Sequence, residues 1–311
     1  WEIQQPLYAP QTNQSASECP DIFRWGDWWY LTYSVYTDRF VTLYRKARSP
    51  RGPWITPDVD TFDTRCFYAA KHATDGAEHL MYGWNPTREK NLWDFNPQKY
   101  PGQDYNTWDW GGSMIVHELW QREDGTQENG ALPVTAPEAV DAAFTEPVGL
   151  KMTPLNGSWQ LGADEAEVDS PYGYASLLMN RVPECCKLEM TVRFDKAPRE
   201  FGVALQVDQD FAMGYYLNFE PKRNRVQYKT GLRMYEDGGK MFPYEVEQER
   251  PIKWEAGRDY KVRIFVQGSI LLLYVDDQIA LGTRMLDRSG KQFGLFVSDG
   301  SASFKQIRLW E

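Results

Sequence analysis

The chain has 311 residues, of which 25% are charged and 42% hydrophobic, and its formal net charge is −10. A chain of this length buries a core without cross-links and is about twice the usual domain size, so two medium domains are expected. The composition excludes disordered, collagen-like and membrane-spanning classes, and the negative charge repels polyanions over most of the surface, which argues against nucleic acid and for a neutral ligand.

In chain order, the first half reads as short strands separated by turn residues. Cys19 to Phe23, Trp28 to Tyr36 after the Gly26-Asp27 turn, and Phe40 to Ala47 have the length and β-rich composition of one antiparallel meander. The pattern recurs at Cys66 to His72 and His79 to Trp84 around Asp75-Gly76, and again from Ser113 to Arg122. Small sheets repeated in this way predict propeller blades. Between the last two lies Asn85 to Gly112, rich in Trp, Asn, Asp, Pro and Gly without a strand period, and read as a loop that lines a site through Trp93, Trp108 and Trp110.

From Thr126 to Leu150 the pattern breaks, which places a domain boundary there. Residues 1–135 are expected to be propeller blades, 136–149 a linker and 150–311 a second domain. In that domain Lys187 to Phe194 alternates strictly between apolar and polar, the mark of a half-buried strand. Phe201 to Val207, Gly214 to Phe219, Arg225 to Lys229, Tyr260 to Val266, Ile270 to Val275, Ile279 to Thr283, Phe293 to Val297 and Phe304 to Trp310 follow with no helical period. Such a run of antiparallel strands describes a β-sandwich, and the whole chain is read as all-β.

Thirteen Trp and 18 Tyr suit either sugar rings, which stack on flat apolar faces, or an aromatic-rich β core. The four cysteines, Cys19, Cys66, Cys185 and Cys186, form no C-x-x-C motif and no disulfide framework, so free thiols are expected. Three histidines without i, i+4 spacing give no metal site, and no cofactor motif is present. No apolar run reaches the length of a membrane span. The chain opens Trp-Glu-Ile-Gln-Gln, without Met and straight into aromatic sequence, and is read as lacking its N-terminal part; compartment, cytoplasmic or secreted, stays open.

Ser17-Glu18-Cys19-Pro20-Asp21-Ile22-Phe23 and Asp63-Thr64-Arg65-Cys66-Phe67-Tyr68-Ala69-Ala70-Lys71, with Gly83-Trp84, Trp110-Gly111-Gly112-Ser113 and Glu118-Leu119 in this order, resemble glycoside hydrolase family 32, the invertases, inulinases and levanases. The resemblance implies the later blades of a five-bladed β-propeller followed by a concanavalin-like β-sandwich. It further implies retaining hydrolysis at a fructosyl centre of sucrose, fructo-oligosaccharides or fructans, with two carboxyl groups about 5 Å apart. By the same resemblance Glu18 is the catalytic acid/base, while Cys19, Asp63, Trp84 and Trp110 contact substrate. Cys66 stands where many members carry Lys or Asp, which puts substrate preference in doubt.

The family's Asn-Asp-Pro-Asn-Gly-like nucleophile motif and its Arg-Asp-Pro motif do not occur in these residues. The resemblance therefore implies a partner, an N-terminal propeller segment, that supplies them. Two other readings stay open: a carbohydrate-binding protein without catalysis, and a five-bladed-propeller hydrolase acting on another sugar. The sandwich is assigned to support of the propeller and to subunit or polysaccharide contacts, with a homo-oligomer left open.

Overall fold

The computed structural model describes residues 1–9, 16–36, 40–90, 106–230, 233–234, 240–241, 245–285 and 291–311. The chain divides into two compact units, Trp1–Pro86 with Gly111–Pro137, and Thr87–Trp110 with Glu138–Glu311.

The first unit holds two small antiparallel sheets. One has the order β1 (Ala16–Trp25), β2 (Trp28–Tyr36), β3 (Val41–Ala47), and the other β4 (Tyr68–Thr74), β5 (His79–Lys90), β6 (Asn106–Leu119), β7 (Val134–Thr135). β2 reads Trp-Trp-Tyr-Leu-Thr-Tyr-Ser-Val-Tyr, aromatic and β-branched throughout, and is buried at nearly every position, which suits the centre of its sheet. The Gly26-Asp27 pair closes the β1–β2 hairpin between the partners Trp25 and Trp28, with Gly26 at φ +58, a conformation glycine adopts without steric cost. Leu31, Tyr33, Val35, Val41 and Leu43 form one buried cluster between β2 and β3.

The second unit contains β8 (Pro147–Val148), β9 (Thr153–Asn156), β10 (Trp159–Leu161), β11 (Ala166–Arg181), β12 (Cys185–Arg193), β13 (Glu200–Val207), β14 (Tyr215–Glu220), β15 (Arg225–Thr230), β16 (Arg233–Met234), β17 (Lys240–Met241), β18 (Glu245–Pro251), β19 (Tyr260–Gln267), β20 (Ile270–Val275), β21 (Ile279–Arg284) and β22 (Gln292–Trp310). A short helix, α1 (Glu138–Ala142), precedes them. The main path of the sheet runs β18-β15-β14-β13-β22-β12-β19-β20-β21.

β22 organises this unit. Its first half, through Ser298, pairs with β13, and its second half, from Ser303, pairs with β12, with Asp299 at φ +51 between them. A strand that changes partner at such a bend turns one sheet into two facing layers. Phe201, Leu217, Phe219, Val226, Ile264, Phe293 and Phe304 fill the space between. Tyr228 on β15, one strand in from one end of the path, donates its hydroxyl to the Arg284 carbonyl on β21, at the other end, at 2.8 Å. The chain is all-β with a β-sandwich, as expected.

Three sequence expectations need correction in detail. The segment read as a loop, Asn85 to Gly112, is strand at both ends: β5 runs on to Lys90 and β6 begins at Asn106. The run Thr-Trp-Asp-Trp alternates polar and aromatic residues, a strand period that the neighbouring Asn, Pro and Gly obscured. β22 is one 19-residue strand rather than two, because the Asp299-Gly300 bend deflects it without ending it. β11, with 16 residues, escaped notice because Ser170-Pro171-Tyr172-Gly173 reads as a break; it is a register shift within one strand. The four cysteines are free thiols.

Candidate functional site: two facing bulges around Glu18

Glu18 lies at a β-bulge. Along β1 three steps lead from Glu18 to Asp21, while their partners on β2, Ser34 and Thr32, are two steps apart. The extra residue is accommodated by Cys19 at φ +50. Pro20 has no backbone N–H, so the irregularity leaves no donor orphaned there. Bulges re-aim the side chains beside them, and Glu18, half-buried, is the carboxylate re-aimed here.

A second bulge lies opposite, in β4. Tyr68 pairs with Trp84 and Lys71 with Tyr82, again three steps against two, with Ala69 at φ +53. The two bulges hold each other. Tyr68 Oη donates to Glu18 Oε2 at 2.7 Å. Lys71 Nζ donates to the carbonyls of Cys19 and Pro20 at 2.9 and 2.7 Å. The His72 backbone N–H donates to Asp21 Oδ2 at 2.9 Å, and that of Ala69 to Ser34 Oγ, the residue paired with Glu18, also at 2.9 Å. Asp21 thus braces the turn that follows Glu18.

Tyr68 is itself fixed by packing. Its ring stacks on Phe40 at 4.1 Å and 7° and meets Trp84 edge-on at 6.1 Å. Burial first, then the bond to the Glu18 carboxylate and its charge, push the phenol well above its ordinary value, so Tyr68 stays a donor. Gly112 lets β6 pass Trp84: a Cβ there would lie 2.4 Å from Trp84 Nε1 and 2.3 Å from the Asn85 carbonyl oxygen.

Flanking the bulges is a pair of imidazoles that spacing along the sequence did not suggest. His72 on β4 and His79 on β5 meet across the hairpin, Nε2 to Nδ1 at 2.9 Å. Phe23 stacks on His72 at 3.7 Å and Trp25 on His79 at 3.6 Å. Burial, then the neighbouring His79, push His72 down to about 4, so it is neutral at pH 7.

The other expected site residues are placed as follows. Cys19 is half-buried in the bulge and Trp84 half-buried beside Tyr68. Asp63 is enclosed: its Oδ2 lies 2.9 Å from His117 Nε2 with no exposed side-chain surface on either residue, and its Oδ1 accepts the Thr64 N–H at 2.7 Å. On this placement it anchors the segment leading to Tyr68. Cys66 is buried. Trp110 is in β6, but its side chain, like those of Trp93 and Trp108, lies outside the described residues. Among the described residues no group of three His, Cys, Asp or Glu side chains is arranged to hold a metal ion. Tyr68 and Lys71 went unassigned in the sequence; the signal that could have found them is the Phe-Tyr-Ala-Ala-Lys run itself.

Residues 173–311 match the model of the C-terminal domain of glycosyl hydrolases family 32. Over that stretch, a little under half of its length, the chain is similar to a family 32 C-terminal domain. Solved structures agree: exo-inulinase from Aspergillus awamori superposes with a TM-score of 0.62 over 97% of this chain and 58% of its own, at 14% identity. Fructan 1-exohydrolase IIa from Cichorium intybus gives 0.61 over 99% and 64%, at 11% identity. Aspergillus kawachii β-fructofuranosidase gives 0.59 over 95% and 57%, at 13% identity. At these identities the likeness is one of fold, and the chain spans less than two thirds of each of these structures. Comparison with curated proteins gives no match.

Proposed function

We propose that the chain is the C-terminal part of a retaining family 32 hydrolase that releases fructose from sucrose, fructo-oligosaccharides or fructans. In this reading residues 1–135 are propeller blades, 136–149 the linker and 150–311 the sandwich. Glu18 is the acid/base that protonates the leaving oxygen and later activates water. The observation that carries the reading is the Tyr68–Glu18 bond at 2.7 Å, set between two mutually clamped bulges. Such a frame holds one carboxyl oxygen to a phenol and leaves the other for substrate, as proton transfer at a fixed position requires. Cys19, Trp84 and Trp110 line the sugar, and Asp63 contributes from beneath through the segment it anchors. The nucleophile comes from polypeptide outside these 311 residues, about 5 Å across the bond being cleaved.

The test is fructose release from sucrose, inulin and levan by the intact protein, wild type and Glu18→Gln. Loss of a general acid lowers turnover by about 10²- to 10⁴-fold. Sugar binding without release, indifferent to Glu18→Gln, would leave a carbohydrate-binding protein instead.

A further inference from the structure

The sandwich unit contains a hollow of ≈550 Å³ that the Glu18 reading does not use. Its origin is a cluster of irregularities. β11 slips against β22 between Leu178 and Arg181, β13 slips against β22 between Ala204 and Val207, and β9 slips against β11 between Ser176 and Leu177. The strands part there, and Lys151, Asn180, Arg181, Asp208, Lys291 and Gln292 line the gap.

Three cations converge on it. Lys187, Arg193, Arg225, Lys229, Arg258 and Arg263 each pair with a carboxylate. Lys151, Arg181 and Lys291 have no such partner among the described residues, although the chain carries ten more negative than positive charges. The one carboxylate in the hollow, Asp208, already accepts the N–H groups of Ala212 and Met213 on Oδ1, at 2.8 and 3.2 Å. Glu184 and Glu311 line an adjoining hollow of ≈640 Å³, which Arg181 and Lys291 also border.

The backbones beneath these cations are held in place. Asn180 accepts the Lys151 N–H on Oδ1 and donates to the Gly149 carbonyl, both at 2.8 Å. Lys291 donates its N–H to Val207 and accepts that of Val182, at 3.0 and 2.7 Å. Gln292 donates to the carbonyl of Met179, which also lines the hollow, at 3.3 Å. Anchored roots with unpaired charged heads fit recognition of an oxyanion.

Size then selects the ligand class. Pockets of about 300–1,000 Å³ take small organic molecules, and a bare phosphate would occupy little of this one. We propose that the hollow binds a small sugar or polyol carrying one compact oxyanion, a phosphate ester or a carboxylate. The anion sits among Lys151, Arg181 and Lys291, and hydroxyls reach the amides of Gln209 and Gln292. This stands independently of the catalytic reading.

Isothermal titration calorimetry of the intact protein at low salt tests it, using glucose 6-phosphate, glucuronate, inorganic phosphate and glucose. At least one anionic sugar should bind saturably, at least about tenfold more tightly than inorganic phosphate or glucose, and the better of the two tells ester from carboxylate. Arg181→Gln with Lys291→Gln should weaken that binding at least about tenfold with an unchanged thermal melt, Lys151→Gln alone about threefold, and Lys305→Gln with Arg308→Gln, equally exposed but bordering neither hollow, less than about twofold, because it reports only the loss of two surface charges. Glucose binding as tightly as its phosphate, phosphate alone as tightly as the ester, no saturation by either anionic sugar, or unaltered affinity in both the Arg181/Lys291 and Lys151 variants would overturn it.

Discussion

Tyr68, Lys71 and Asp63 make their contributions through single, identifiable bonds. Tyr68→Phe removes the donor to Glu18 and keeps the ring on Phe40. A hydrogen bond to a charged group is worth about 1.5–3 kcal/mol, and urea denaturation should show a loss at the lower end of that range because Glu18 is only half-buried. Lys71→Met leaves two carbonyls to water; the site is exposed, so the stability cost should be under about 1 kcal/mol. In an active assembly the same change should lower kcat more than it raises KM, because it loosens the bulge that aims Glu18 without touching sugar. Asp63→Ala is the opposite case. It removes the Oδ2 that faces His117 Nε2 in a site without solvent and should cost about 1–3 kcal/mol, read from the same denaturation. The family resemblance singled out Glu18 as a candidate through its Glu-Cys-Pro-Asp setting; it did not indicate Tyr68 as its partner, because the two are 50 residues apart and meet only when β1 and β4 lie side by side.

At the scale of elements, the β4–β5 hairpin joins titration to strand pairing. His72 has its folded value pushed down to about 4, against about 6.5 in an unfolded chain. Between those values the unfolded chain binds the additional proton, so the stability His72 contributes is present above about pH 6.5 and is lost as pH falls toward 4. His79 is shifted in the same direction, by burial. Melting temperature should therefore fall between pH 7 and pH 4.5, and His72→Phe, which keeps an aromatic on Phe23, should flatten that slope. In the sandwich, Phe304 lies on the second half of β22 and is wholly buried against Phe201 and Trp159. Phe304→Ala should destabilise by about 3–5 kcal/mol. Strand periods were legible wherever one face meets the core and the other water, as in β12. They failed for β5 and β6, which run on into sequence rich in Asn, Asp, Pro and Gly, and for β11, where a register shift resembles a turn.

For the whole molecule, composition and charge carry weight that no single element does. With a net charge of −10 the protein should pass unretained over immobilised DNA at physiological salt, even though a few cations converge on one hollow; retention would show that local charge outweighs the field of the whole. Packing takes up many of the Tyr and Phe residues. The largest fully buried side chains are all Tyr or Phe, among them Tyr30, Tyr44, Tyr215, Tyr228, Phe201 and Phe219. By itself the sequence determined that the chain is all-β, that its second half is a sandwich, and where a candidate acid stands. Those are consequences of side-chain alternation, turn residues and short contiguous motifs, all local in the chain. Only the tertiary structure decided which residues hold Glu18, that Asp63 is enclosed by His117, that His72 and His79 touch, and that β22 serves both layers. Each of these depends on register between strands far apart in sequence, and register is set by bulges and by core packing across the whole sheet rather than by any one segment.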